Sequence, residues 1–148
     1  MNSDKPHAKN LRKGRVSLDH QVYHIIATTF DRKPVFADFH AARLLIAALR
    51  HEAERHHAET LAFVVMPDNS HWLMQLAAGQ ELASIVGAVK SVVAHQLGER
   101  LWQAGFYDHA LRRDEDLPAV ARYIVANPLR AGLVQRLGDY PHWDAVWL

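Results

Sequence analysis

Six apolar residues in a row, Leu61 to Met66 (LAFVVM), are followed by Pro67-Asp68 and then by Asn69 to Leu76 (NSHWLMQL). This arrangement constrains the fold more than any other segment. An uninterrupted apolar run of this length reads as a strand buried on both faces. It falls far short of the roughly 20 residues that a membrane-spanning helix needs. Proline cannot continue a sheet ladder, and a two-residue break leaves room only for a tight antiparallel reversal. The chain is therefore expected to be organised around a buried hairpin.

The flanking segments supply the rest of an α+β domain. His20 to Thr29 (HQVYHIIATT) alternates and is rich in β-branched residues, which predicts a strand. Asp31-Arg32-Lys33-Pro34 follows as a turn. From Asp38 to His57, Ala41, Leu44, Leu45, Ala48 and Leu49 recur at helical spacing, with Asp38 placed as the N-cap. Beyond Gly79, Leu82, Ile85, Val86, Val89 and Val93 mark a second helix that Gly98 can end. Trp102 to Arg112 is expected to hold the last strand. Asp114 to Asn127 reads as a third helix, its acidic start suiting the positive end of the helix dipole. Leu117, Val120, Ala121 and Ile124 form its buried stripe, Pro118 is tolerable in the first turn, and Pro128 stops it. The order β-α-β-β-α-β-α is that of a split βαβ, ferredoxin-like antiparallel sheet with an added C-terminal helix. Such a fold hosts many functions and names none.

Charge and composition narrow the class. The 148-residue chain has no cysteine, which removes disulfides, thiolate zinc sites and cysteine nucleophiles together. Its formal net charge is only +1, but residues 1–15 hold Lys5, Lys9, Arg12, Lys13 and Arg15 against Asp4. A basic, flexible tail (1–15) is thus expected ahead of one domain (16–137). The segment 138–148, with Tyr140, Trp143 and Trp147, is expected to dock on that domain. A basic tail suits an anionic partner such as nucleic acid, or is simply solvated. No apolar stretch follows the N-terminal charges, so the reading predicts no secretory signal and a cytoplasmic protein. Of the eleven histidines, His51, His56 and His57 fall in a charged helical stretch and are expected to face water. His51 and His56 lack the four-residue spacing that a zinc-protease helix requires.

Three segments carry chemistry in order: Val64 to Leu73 (VVMPDNSHWL), Gly105 to Arg112 (GFYDHALR) and Tyr123 to Val134 (YIVANPLRAGLV). With the opening Gly14-Arg15-Val16-Ser17-Leu18 and Gln21-Val22-Tyr23-His24, they resemble the hallmarks of the REP-associated tyrosine transposases of the HUH single-strand endonuclease superfamily. The resemblance runs from about Gly14 to Leu148. It implies a protein that recognises single-stranded or hairpin repeat DNA in transposition and recombination. It also implies a tyrosine that attacks the scissile phosphate, giving a 5′-phosphotyrosine link and a free 3′-hydroxyl. By position Tyr123 matches the nucleophile, His71 the second histidine of a metal-binding pair, and Asn127 a third ligand for Mg²⁺ or Mn²⁺. The family motif places histidine at 69 and a hydrophobic residue at 70. Here they are Asn69 and Ser70, which offers a harder, oxygen-rich set and predicts weaker metal binding.

The spacing of these residues suits convergence. Tyr123 and Asn127 stand at i, i+4, and Asn69 and His71 at i, i+2 on one strand face. A third helix packed across that strand would bring all four together. Each residue also has a plainer reading: Tyr123 as a packing residue with a wet hydroxyl, His71 as a hydrogen-bonded structural histidine, Asn127 as a helix C-terminal residue. His109 can contact DNA or serve structure. Arg112, Arg113, Arg122 and Arg130 can bind phosphate or merely face solvent, and Lys13 and Arg15 extend the same basic surface. Trp72, Trp102, Phe106 and Tyr107 can stack on unpaired bases, although Trp72 points away from His71 toward a core. The resemblance implies a monomer or homodimer associated with the nucleoid. Two further alternatives are a domesticated hairpin binder without cleavage and an interaction module unrelated to DNA.

Overall fold

A computed structural model describes residues 20–98 and 100–147. Lys13 and Arg15, with the rest of the basic tail, lie outside the described residues. Five strands run β1 (Val22–Thr28), β2 (Ala58–Met66), β3 (Asn69–Leu76), β4 (Tyr107–Ala110) and β5 (Trp143–Ala145). The helices are α1 (Phe39–Glu54), α2 (Leu82–Leu97), α3 (Leu117–Val125) and the short α4 (Asn127–Arg130). The sheet order is β4-β1-β3-β2-β5, and every neighbouring pair is antiparallel. The first four strands have the ferredoxin-like order expected from the sequence, and β5 extends it along the free edge of β2. Among the described residues no helix is long and apolar enough to cross a membrane.

Local chemistry sets the element ends. Asp38 accepts from the Ala41 N–H at 2.9 Å and so caps α1. Gly98 ends α2 in a left-handed conformation, its N–H on the Ala94 carbonyl. The hairpin turns at Pro67-Asp68, with Met66 opposite Asn69. Strand β2 begins at Ala58, earlier than its apolar run, and a register shift between Thr60 and Ala62 marks a bulge at Leu61.

The two sheet faces carry separate cores. Tyr23, Ile25, Phe63, Val65, Trp72 and Met74 meet α1 and α2 on one face. On the other, Ala62, Val64, Met66 and Leu73 join Ala121, Ile124 and Val125 of α3. Two long helices thus cover the first face, while α3 lies mainly over β2 and β5 on the second. The second face of β1 and β4 bears Val22, His24, Ile26, Tyr107 and His109. These side chains are half-buried rather than fully enclosed.

The structure corrects three expectations. The third helix begins at Leu117, not Asp114, because Asp116 is its cap and accepts from the Ala119 N–H at 3.1 Å. It ends at Val125, and Asn127 opens the separate α4 with Pro128 in its first turn. Finally, His57 does not simply face water: its Nδ1 lies 2.8 Å from Oε1 of the buried Glu52. A buried carboxylate needs such a partner, and the pair fastens the end of α1 to the start of β2.

Candidate active site

On the open side of the second face, His24 of β1 and His71 of β3 are diagonal neighbours, since His24 stands opposite Leu73 and His71 opposite Ile26. His24 Nε2 and His71 Nδ1 are 2.9 Å apart, and the rings stack with centroids 5.2 Å apart at 29°. The Tyr107 ring meets His24 edge-on at 6.1 Å. Burial pushes His24 down to about 4, helped by the charge of His109 opposite it. Burial likewise pushes His71 down to about 3, with His24 and Arg130 adding to the effect. Both imidazoles are therefore neutral at physiological pH, the form in which a ring nitrogen can bind a cation or accept a proton.

Tyr123 projects from α3 into solvent, 63% exposed. The guanidinium carbon of Arg130 sits 3.8 Å above the centre of its ring, a close cation–π contact. Arg130 is also near enough to His71 to disfavour its protonated form. Arg130 thus covers the Tyr123 ring and lies within electrostatic reach of His71.

The break between α3 and α4 has a simple cause. Pro128 has no N–H to give to the Ile124 carbonyl, as the next helical turn would require. The Asn127 side-chain amide supplies it instead, Nδ2 to Ile124 O at 2.7 Å. Tyr123 and Asn127 consequently sit on successive helices, α3 and α4, rather than on one unbroken helix. Because the Asn127 NH₂ is committed to the backbone, its Oδ1 is the atom left to meet a ligand.

The first residue of the degenerate motif is tied differently. Asn69 Nδ2 donates to Asp68 Oδ1 at 2.7 Å, while Asn69 Oδ1 is buried with no hydrogen-bond partner. Asp68 also takes an ion pair from Arg32 at 3.1 Å. Among the described residues, no group of three or more histidine, cysteine, aspartate or glutamate side chains could hold a metal. The candidate donors from the sequence, His71, Asn69 and Asn127, are one imidazole and two amides, all neutral. The orphaned, buried Asn69 oxygen is a hard neutral donor of the kind a divalent cation would take.

The remaining predicted residues divide. His109 Nε2 lies 3.2 Å from Glu115 Oε1. The Arg112 backbone N–H also donates to that oxygen, the largest of the causes that hold the Glu115 carboxyl below its ordinary range. The Arg112 side chain pairs with Asp114 at 3.2 Å and with Glu115 at 3.5 Å, so Arg112 and His109 belong to a local acid–base knot beside β4. Arg113 and Arg122 are exposed. Phe106 is buried, and Trp102 packs on Phe36 while donating to Lys90 O, so neither offers a face to a base. Trp72 is buried and donates to Thr60. His24 was not among the residues that the motifs singled out for the site. Its signals in the sequence are its place in the opening segment Gln21-Val22-Tyr23-His24 and on the non-core face of an alternating strand.

The fold, with its tyrosine helix laid over β2 and β5, names no function by itself, and the sequence comparison supplies the family. Residues 17–127 match the model of the IS200-like transposases, and the chain belongs to that family. It is 32% identical over 85 residues to the REP-associated tyrosine transposase of Escherichia coli, covering 56% of this chain and 52% of that protein. A Haemophilus influenzae protein that provisionally carries the same name is 29% identical over 112 residues, covering 65% and 64% respectively. The chain thus spans between half and two thirds of the length of these curated relatives. The fold is that of a REP-associated tyrosine transposase solved bound to a REP hairpin, with a TM-score of 0.77 at 23% identity over 87% of this chain and 79% of that one.

Proposed function

We propose that this chain binds single-stranded or hairpin repeat DNA and cleaves and rejoins it through Tyr123. The observation that carries the reading is the placement of Arg130, over the Tyr123 ring and within electrostatic reach of His71. A phosphodiester approaching the exposed phenol meets that guanidinium, which suits bidentate phosphate contact. The relative solved with a bound REP hairpin makes such DNA the first substrate to test.

In the proposed step the Tyr123 oxygen bonds to phosphorus as the phenol gives up its proton. The bond from phosphorus to the 3′ oxygen breaks, and that oxygen leaves as a 3′-hydroxyl after taking up a proton. The 5′ side stays on the protein as a phosphotyrosine, and attack by a 3′-hydroxyl reverses the step to join strands. His71, Asn69 and Asn127 are the residues that would hold Mg²⁺ or Mn²⁺, which when bound neutralises charge developing on the phosphate. Arg122 and Arg130, and beyond the described residues Lys13 and Arg15, supply backbone contacts that position the strand. Arg112 and His109 reach DNA only by leaving the carboxylates that now hold them. Action on chromosomal repeat DNA would put the protein in the cytoplasm at the nucleoid.

Incubation with an end-labelled hairpin and Mn²⁺ tests the reading. A covalent adduct that survives denaturation and disappears in Tyr123→Phe is the expected result. Salt-sensitive hairpin binding without any adduct would instead favour a domesticated DNA-binding protein. That second reading draws on Asn69, whose amide is turned toward Asp68 where the family motif has an imidazole.

A further inference from the structure

We propose that His24 is a positioning residue that fixes the tautomer and ring plane of His71. The inference rests on the proposed role of His71 as a ligand but is tested apart from it. Two neutral imidazoles whose nitrogens are 2.9 Å apart share one proton, and two arrangements are open to them. If His24 Nε2 carries it and donates, His71 must hold its own proton on Nε2, and that nitrogen has no lone pair to offer. If His71 Nδ1 carries it and donates to His24, then His71 Nε2 is bare and can bind a cation or accept a proton. Only the second arrangement serves the site.

The geometry favours a partner whose position is fixed by the fold rather than met by chance. Both residues lie on central strands, and the β1–β3 register runs unbroken from Val22–Gln75 to Thr28–Asn69. The stacking of the two rings and the edge contact of Tyr107 restrain the plane of His24. Metal-binding histidines commonly have their second nitrogen tied to an acceptor in this way. Here the acceptor is another imidazole, 47 residues away in sequence. A neutral acceptor raises ligand basicity less than a carboxylate would, which matches a site of neutral donors.

Nitrogen-15 spectroscopy of histidine-labelled, metal-free protein at neutral pH reads the tautomers directly. The expected spectrum has both His71 and His24 protonated on Nδ1 and bare on Nε2. In His24→Phe, which stacks but cannot accept, His71 should redistribute between tautomers. In His24→Asn, whose side-chain oxygen can accept, the Nδ1-protonated form should return. Wild-type His71 found protonated on Nε2 overturns the proposal, whatever the variants do. Loss of the tautomer preference in neither variant overturns it too. Hairpin cleavage separates the two inferences. The predicted tautomers without an adduct would sink the nuclease reading and leave His24 in its role. An adduct formed by protein with the opposite tautomer would do the reverse.

Discussion

Acidification should destabilise this protein before its carboxylates begin to titrate, and the cause is the histidine pair. The fold holds His24 at about 4 and His71 at about 3, both mainly by burial. In the unfolded chain each returns to the ordinary histidine value near 6.5. The unfolded state therefore binds more protons as pH falls below 6.5, and stability drops with pH until the folded pair itself protonates. At pH 5, about 1.5 pH units below the ordinary value and still above both shifted ones, the loss is about 2 kcal/mol per histidine. The pair together then costs about 4 kcal/mol, a large share of the stability of a domain of this size. His142, lowered by burial and by Arg43, adds to the same slope, so the test is a difference. Urea unfolding of wild type and His71→Gln at pH 7.5 and pH 5.0 should show the variant losing about 2 kcal/mol less over that interval. Equal losses in the two proteins would refute the reasoning, as would a wild-type His71 that titrates by NMR near the ordinary value.

Three further outcomes follow from single contacts. Ile124 is fully buried at the centre of the α3 core, so Ile124→Ala should cost about 2–5 kcal/mol in chemical denaturation. Asp116→Ala leaves the Ala119 N–H without its cap and should lower stability by about 1 kcal/mol, seen as a reduced melting temperature. Asn69→His restores the family's missing imidazole and should raise Mn²⁺ affinity in calorimetry at least tenfold, on the order of 1.4 kcal/mol. No gain would mean that the pocket around the orphaned Asn69 oxygen does not accept a metal.

What could be read in the sequence was local, and what could not was relational. The hairpin was legible because an apolar run, Pro67-Asp68 and a second strand lie side by side, and β3 occupies the residues expected of it. The cap at Asp38 and the stop at Gly98 were legible for the same reason. The extent of α3 was not. Three acidic residues offer three N-caps, and only tertiary packing selects Asp116 while Glu115 is taken by Arg112 and His109. Aromatic residues in the tail signal contact, but three residues carry too little alternation to announce β5, whose pairing depends on the open edge of β2. The bulge at Leu61 is likewise invisible in a continuous apolar run.

The site shows the same division more sharply. Helical spacing ran one helix through Tyr123 and Asn127, but Pro128 has no N–H to give to Ile124, the helix breaks at Ala126, and the Asn127 amide fills the gap. Asn127 therefore has two tasks at once: its nitrogen closes α3, and its oxygen is what remains for a ligand. If Asn127 is a ligand as proposed, the rotamer that satisfies the backbone is also the one that leaves the oxygen free. His24 is the converse case. It lies in the family-like opening segment, but no role attached to it there, and the β1–β3 register delivers its Nε2 to the one nitrogen of His71 that a metal-binding or proton-accepting role must keep occupied. A motif can identify the residue that touches substrate, but the residue that orients it is chosen by strand register. It follows that substitutions which slip that register, even far from Tyr123, should disable the site while leaving its named residues in place.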